Sequence, residues 1–169
     1  MKTIRNNVFE TNSSSSHSLC IGVSNELNPS YLLIDYVDNC VHVEFGEFGW
    51  GYDKTNNQYD KLSYLVTMLV ETEGNGCKSM DDLRNTEGFK LIEDVIKEYC
   101  KCDGIIIESD IKPATWNENY IDHDGYIDHQ SCEDYSSIQD FLNDYGITIE
   151  QFVFNSDIKL IIDNDNHQT

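Results

Sequence analysis

The sequence has few basic residues. It contains 11 lysines and arginines against 31 aspartates and glutamates, so 31 − 11 gives a formal net charge of −20. After Pro113, twelve acidic residues stand against a single basic one, Lys159. A surface of this charge repels nucleic acid and anionic membranes and attracts basic partners. Because the basic residues are also scattered singly, direct binding of nucleic acid is not expected.

Long apolar runs are absent as well. No stretch approaches the ~20 apolar residues of a membrane-spanning helix, so no membrane contact is expected. The start of the chain, 1–7, lacks the apolar core of a signal peptide. Together these absences predict a cytoplasmic protein. The six cysteines are therefore expected as thiols or metal ligands rather than as disulfides.

The common catalytic signatures are also missing. There is no Gly-x-Ser-x-Gly elbow, phosphate-binding glycine loop, dinucleotide fingerprint, kinase signature or His-Glu-x-x-His motif. The sequence thus requires no cofactor and favours a binding protein over an enzyme.

Aromatic residues are plentiful at 11%, which argues against disorder, and 169 residues suit one domain. Apolar residues recur at helical spacing in 57–72 and 88–100, whereas 39–45 alternates as a strand does. Strands and helices are mixed without a βαβ rhythm. The sequence predicts a single compact α+β domain spanning 1–169, with a mixed, mostly antiparallel sheet and two to four helices. Residues 1–18 are a polar N-terminal segment, and 163–169 are predicted to form a frayed tail.

The tetrapeptide Tyr-Ile-Asp-His occurs twice, at 120–123 and 126–129. Asp124-Gly125 between the copies is a strong signal for a two-residue hairpin turn. Such a hairpin would pair the flanking segments. The pattern therefore indicates either a plain hairpin or a metal site built from two Asp-His pairs.

Cys100 and Cys102 lie at the end of a predicted helix and are candidate zinc ligands. One intervening residue is tighter than the usual zinc spacing, and no second cysteine pair is present. The remaining ligands would have to come from Cys77, Cys132, His17, His123 or His129. The alternative is that the cysteines are small core residues.

The serine tract that ends in His17-Ser18 places hydroxyls beside an imidazole. A nucleophile and base are conceivable, but neighbours on one strand point to opposite faces, so a polar turn is the alternative. A small metal-dependent or Ser/His-using enzyme would use His17 with Asp128 and His129, and those stretches would have to meet in one pocket.

The acidic, aromatic C-terminal third indicates a partner-binding surface. Spaced carboxylates can imitate the regular charge of a nucleic-acid backbone and compete for a basic channel. Exposed aromatic side chains are frequent anchors of interfaces. The alternative is a solvated face that serves solubility. The candidate partner-binding residues are Asp122, Asp124, Asp128, Glu133, Asp134, Asp140, Asp144, Trp116 and Tyr126.

The opening Arg5-Asn6-Asn7-Val8-Phe9-Glu10-Thr11-Asn12-Ser13-Ser14-Ser15-Ser16-His17-Ser18 resembles the N-terminus of a family of small proteins of bacteriophages and mobile elements, as does Asp128-His129-Gln130-Ser131. The motif does not indicate a particular reaction. The resemblance implies a counter-defence role, similar to small acidic inhibitors of restriction enzymes and CRISPR effectors, a few of which carry structural zinc. The leading hypothesis is an inhibitor that binds the basic surface of a host nucleic-acid-targeting nuclease, foremost a CRISPR effector. An enzyme and a zinc-stabilised interaction module are the alternatives.

Overall fold

The structure, a computed structural model, describes residues 2–4, 15–49, 53–117, 119–128 and 135–164. Within them the chain forms ten strands: β1 Lys2–Ile4, β2 Ser15–Ile21, β3 Cys40–Val43, β4 Glu47–Phe48, β5 Asp53–Thr55, β6 Gly104–Ile107, β7 Ile111–Pro113, β8 Ile121–His123, β9 Tyr126–Ile127 and β10 Lys159–Asn164. The same residues form five α-helices: α1 Gln58–Glu73, α2 Met80–Arg84, α3 Glu87–Cys100, α4 Ile138–Tyr145 and α5 Ile149–Phe154.

Helix α1 is the centre of the core. It begins at Asn57, whose side chain accepts hydrogen bonds from the backbone N–H groups of Tyr59 and Asp60. Its residues from 61 to 70 are all buried, and it packs against α3, α4 and α5. A helix that is buried on every side has no solvent face, which explains its weak amphipathic pattern. Even Lys61 is buried, and its Nζ donates to the carbonyls of Asn155 and Ile158.

The main sheet has four antiparallel strands in the order β1-β2-β10-β5. Leu160 of β10 lies opposite Leu19 of β2, and both side chains are buried. Strand β10 reaches Asn164, so positions 163–164 of the expected frayed tail belong to the sheet, while 165–169 lie outside the described residues. The sheet joins the beginning of the chain to its end.

Three two-stranded sheets complete the fold. The pairs β3–β6 and β4–β9 are parallel, and β7–β8 is antiparallel. The predicted α+β class is confirmed, although the described residues hold five helices rather than two to four. One reason is that α2 ends at Arg84, after which the Thr86 side chain accepts from the N–H of Phe89 and starts α3.

The hairpin predicted from the Tyr-Ile-Asp-His repeat is wrong. Strand β8 pairs with β7, and β9 pairs with β4, so the two copies do not face each other. The chain does bend at Gly125, which has φ = +78°. Beyond the bend, however, the N–H of Tyr126 donates to the carbonyl of Gly46 over 2.9 Å. This hydrogen bond to a residue distant in sequence places the second Tyr-Ile-Asp-His tetrapeptide beside β4 and not beside the first one.

Candidate partner-binding surface

The β7–β8 hairpin presents two aromatic rings to solvent. Lys112 lies opposite Asp122 in the ladder, and the N–H of Ala114 donates to the carbonyl of Tyr120 over 2.8 Å. These bonds close the loop 114–120. At its tip the rings of Trp116 and Tyr120 stack with centroids 4.8 Å apart, and Trp116 is 73% exposed. A stacked pair is held in place and offers a large apolar area at little cost in conformational entropy, as interface anchors do.

Carboxylates lie on or beside the same hairpin as this aromatic pair. Asp110, Asp122 and Asp124 are exposed and, with Lys112 and His123, line a small cavity of about 110 Å³. The Nζ of Lys112 lies 3.5 Å from Asp122, and since both side chains are exposed this ion pair is weak. The local charge is therefore negative. We call the set Asp110, Trp116, Tyr120, Asp122 and Asp124 the hairpin face.

His123 anchors the hairpin face to the body of the protein. Its ring packs edge-on against Phe45, its Nε2 lies 3.5 Å from Glu71, and its Nδ1 donates to the carbonyl of Asp124 over 3.0 Å. Burial lowers the pKa of His123, but the bonds to Glu71 and Asp124 outweigh this, so the net pKa lies above its usual value. His123 thus ties the hairpin face to Phe45 and Glu71.

The other predicted partner-binding residues lie on different elements. Asp140 and Asp144 are exposed on α4. The carboxylate of Asp140 accepts from the hydroxyl of Ser136, and the backbone N–H of Asp140 donates to the hydroxyl of Ser137. Tyr126 on β9 is half-buried, as is Asp128 just after it. Glu133 and Asp134 lie outside the described residues. The structure therefore gathers Trp116, Asp122 and Asp124 on one hairpin and places the α4 carboxylates on a separate helix.

A second exposed surface was missed by the sequence reasoning. In the segment 31–38, here called the apolar loop, Leu33 is 88%, Tyr36 96% and Val37 79% exposed, and only Leu32 reaches the core. In the sequence, the apolar run that starts at Tyr31 looks like a buried segment, so its exposure is not expected. No lysine or arginine occurs between Arg5 and Lys54, but this does not distinguish exposed from buried apolar residues. Exposed apolar side chains in an acidic context indicate a contact surface.

His42 fastens the apolar loop to the sheet. Its Nδ1 is hydrogen-bonded to Glu108, and its Nε2 lies 2.8 Å from the carboxylate of Asp38. These bonds, to Glu108 first and Asp38 second, raise the pKa of His42 above its usual value. A protonated imidazole between two carboxylates holds the end of the loop, so the loop is exposed yet fixed at Asp38.

The structure brings together part of the alternative catalytic set. His17 lies on β2, buried, and its Nδ1 shares a 2.9 Å hydrogen bond with the hydroxyl of Tyr64. Burial lowers the pKa of His17 to about 4, against the raising effect of the Asp128 carboxylate. His17 and Asp128 are thus within electrostatic reach, while His129 lies outside the described residues. An imidazole of this pKa is neutral at pH 7 and a weak base.

The cysteines have structural surroundings. Cys102 is buried, with its Sγ directed to the carbonyls of Ile96 and Gly104, and Cys77 is buried against the carbonyl of Glu73. Burial raises the pKa of Cys100 to about 11, which disfavours the thiolate that zinc requires. Among the described residues no three His, Cys, Asp or Glu side chains are grouped to hold a metal. Cys132 and His129 lie outside them, so zinc stays a prediction.

Comparisons with protein-family models, with curated proteins and with solved structures find no match. The helices of the described residues include none with the length and apolarity to cross a membrane. The geometry of the chain itself therefore carries the functional argument.

Proposed function

We propose that this protein binds a basic protein surface and competes there with nucleic acid. The observation that carries the proposal is the hairpin face, which combines an exposed, stacked Trp116–Tyr120 pair with exposed carboxylates on or beside the same hairpin, on a chain of net charge −20. Carboxylates provide long-range attraction to a basic channel, and buried aromatic anchors provide affinity after contact. Neither feature alone favours a partner surface over a solubilising one, but their combination on one hairpin supports a partner surface.

The charge, together with the resemblance of the N-terminal motif to phage proteins, supports one class of partner. A surface that attracts an acidic protein is the same surface that holds a nucleic-acid backbone. We therefore propose a host nucleic-acid-targeting nuclease as the target, with CRISPR effector nucleases as the first class to test. Occupation of the basic channel would prevent loading of DNA, and the inhibitor would act stoichiometrically.

The test is a DNA-binding and cleavage assay on a panel of CRISPR effectors, with and without guide RNA, between 50 and 300 mM NaCl. Stoichiometric loss of DNA loading that weakens with salt is the expected result, because charge attraction is screened. No effect on any effector would overturn the choice of target. Loss of cleavage at strongly substoichiometric amounts would instead indicate an enzyme.

Variants locate the contact. Trp116→Ala should weaken binding about tenfold or more, the usual cost of removing a central aromatic anchor. The pair Asp122→Asn and Asp124→Asn should weaken binding and flatten its salt dependence. The matched control removes two charges from exposed positions on α3, with Asp94→Asn and Glu98→Gln. Equal effects of the two charge pairs would show that net charge, and not the hairpin face, governs binding.

A further inference from the structure

The apolar loop exposes side chains that the fold does not use. Leu33, Tyr36 and Val37 are each at least 79% exposed, so a polar residue at any of these positions would leave the core unchanged. A single exposed apolar residue needs no explanation, but three within five positions are a cluster. Because five residues of extended chain span at most about 14 Å, one short segment of a partner can contact all three side chains.

Hydrogen bonds hold the backbone of the apolar loop. The N–H of Asp35 donates to the carbonyl of Cys40 over 2.9 Å, and Ile34 forms an antiparallel bridge with Val41 of β3. The N–H of Val37 donates to the carboxylate of Asp35 over 2.6 Å. A partner that contacts the loop therefore meets a preformed surface, and little conformational entropy is lost in ordering it.

The surroundings of the apolar loop are acidic. Four exposed carboxylates lie in the loop or beside its end: Asp35, Asp38, Asp103 and Glu108. The N–H of Asp103 donates to the carbonyl of Asn39 over 2.8 Å, and Glu108 is hydrogen-bonded to His42. The nearby cations are His42 and Lys101, two positions before Asp103, so four carboxylates outnumber them. A partner of complementary charge is therefore basic.

This charge also decides between the possible occupants of the apolar loop. A second copy of the chain, in an isologous contact, would bring two acidic surroundings together on molecules of net charge −20. An anionic membrane surface would be repelled by the same carboxylates. A protein segment that carries lysine or arginine beside its apolar side chains is instead attracted by the carboxylates and covers the apolar cluster.

We propose that the apolar loop is a docking site for a short protein segment in which lysine or arginine residues stand beside apolar ones. Leu33, Tyr36 and Val37 provide the apolar area that becomes buried, and the carboxylates of Asp35 and Asp38 select the basic residues. The site uses none of the residues of the hairpin face. It goes beyond the proposed function and does not rest on it, because the exposure and charge of the loop carry it.

The test is an NMR titration of the ¹⁵N-labelled protein with a seven-residue peptide of alternating lysine and leucine. Saturable shifts of the backbone amide signals of 33–38 are expected. Two matched peptides separate charge from apolar area. One has glutamate in place of lysine, and the other has serine in place of leucine. Each should bind at least about tenfold more weakly, because each lacks one of the two complementary features.

Variants locate the binding on the apolar loop. Leu33→Ser combined with Val37→Ser changes only exposed side chains, so the variant should fold as the parent does. It should bind the lysine–leucine peptide about tenfold more weakly or less tightly still, since burial of even one such side chain contributes that much. Val23→Ser makes the same change at a valine that is 96% exposed and lies outside the loop, and it should bind like the parent. Unchanged affinity in the double variant, or equal binding of the glutamate peptide, would overturn the proposal.

Sedimentation experiments test the other two occupants. The protein is expected to be a monomer and not to sediment with phosphatidylcholine–phosphatidylglycerol vesicles. A dimer that Leu33→Ser with Val37→Ser abolishes would show that a second copy covers the loop, and vesicle binding lost in the same variant would show a membrane surface. Either result would overturn the proposal. Because no nuclease and no hairpin variant enters these experiments, their failure is distinct from failure of the proposed function.

Discussion

The burial of His17 couples the stability of the fold to pH. The pKa falls from 6.5 in the unfolded chain to about 4 in the folded one, because burial disfavours the charged imidazole. Between these values the unfolded chain binds more protons, so stability rises with pH. The contribution is fully present above pH 6.5 and is lost as the pH falls towards 4. Going from pH 7.5 to 5.0 removes about 2 kcal/mol of it.

Urea unfolding at these two pH values checks this expectation. The parent should lose about 2 kcal/mol more than His17→Asn, whose amide can still reach the hydroxyl of Tyr64 but does not titrate. Because both proteins have the same carboxylates, the pH dependence of stability that the carboxylates cause cancels in the difference between parent and variant. A parallel loss in the two proteins would contradict a buried neutral His17.

At the scale of single elements, Gly125 decides the path of the chain between β8 and β9. Its φ of +78° is unfavourable for other residues, and a Cβ there would lie 2.7 Å from the carbonyl oxygen of Gly46 and 2.8 Å from the Cβ of Phe45. The close approach exists because Tyr126 donates to that same carbonyl. Gly125→Ala therefore combines backbone strain with a clash against backbone that cannot move aside.

Gly146 provides the matched control. It closes α4 with φ = +64°, and a Cβ there would meet nothing within 4 Å. Gly146→Ala should cost about 1 kcal/mol of unfolding free energy from strain alone, whereas Gly125→Ala should cost about 3 kcal/mol. Thermal or urea unfolding of the two variants measures the difference. Equal costs would show that the contact with Gly46 relaxes without penalty.

The elements that sequence predicts well are those with local signals. Asn57 caps α1 through its own side chain, and Gly146 ends α4 through its own backbone angle, so both boundaries are visible without tertiary information. The pairing of β8 and β9 is different, because Asp124-Gly125 favours a hairpin while a carbonyl at Gly46, far away in sequence, provides the competing partner. Short strands of two or three residues carry too little pattern to choose between partners.

The parts of the candidate site also differ in how far the sequence alone predicts them. Composition alone makes Trp116, Asp122 and Asp124 candidates, because acidic and aromatic residues in an irregular connection have few structural roles, and their binding of a partner stays a prediction. Exposure of the apolar loop was not predictable, since the run starting at Tyr31 would suit a core strand equally well. Only the packed fold shows that Leu32 alone is buried and that Leu33 is not.

At the scale of the whole molecule, charge acts against folding and for association. A net charge of −20 on one domain makes the compact state repel itself, and the same field attracts basic partners from a distance. The described ion pairs on α2 and α3, Arg84 with Asp81 and Lys97 with Glu93, are surface pairs that offset little of this repulsion. The protein therefore carries a stability cost that a basic partner would relieve.

Salt should relieve part of the same cost. Raising NaCl from 20 to 500 mM shortens the screening length to a few ångströms, so the repulsion between carboxylates weakens in the folded state. We expect the free energy of unfolding at pH 7.5 to rise by on the order of 1 kcal/mol. Urea unfolding at the two salt concentrations measures it, and a variant with Asp94→Asn, Glu98→Gln, Asp122→Asn and Asp124→Asn should show a smaller gain. A decrease with salt would mean that specific ion pairs outweigh the net repulsion, and the field proposed to attract a basic partner would then be weaker than the composition implies.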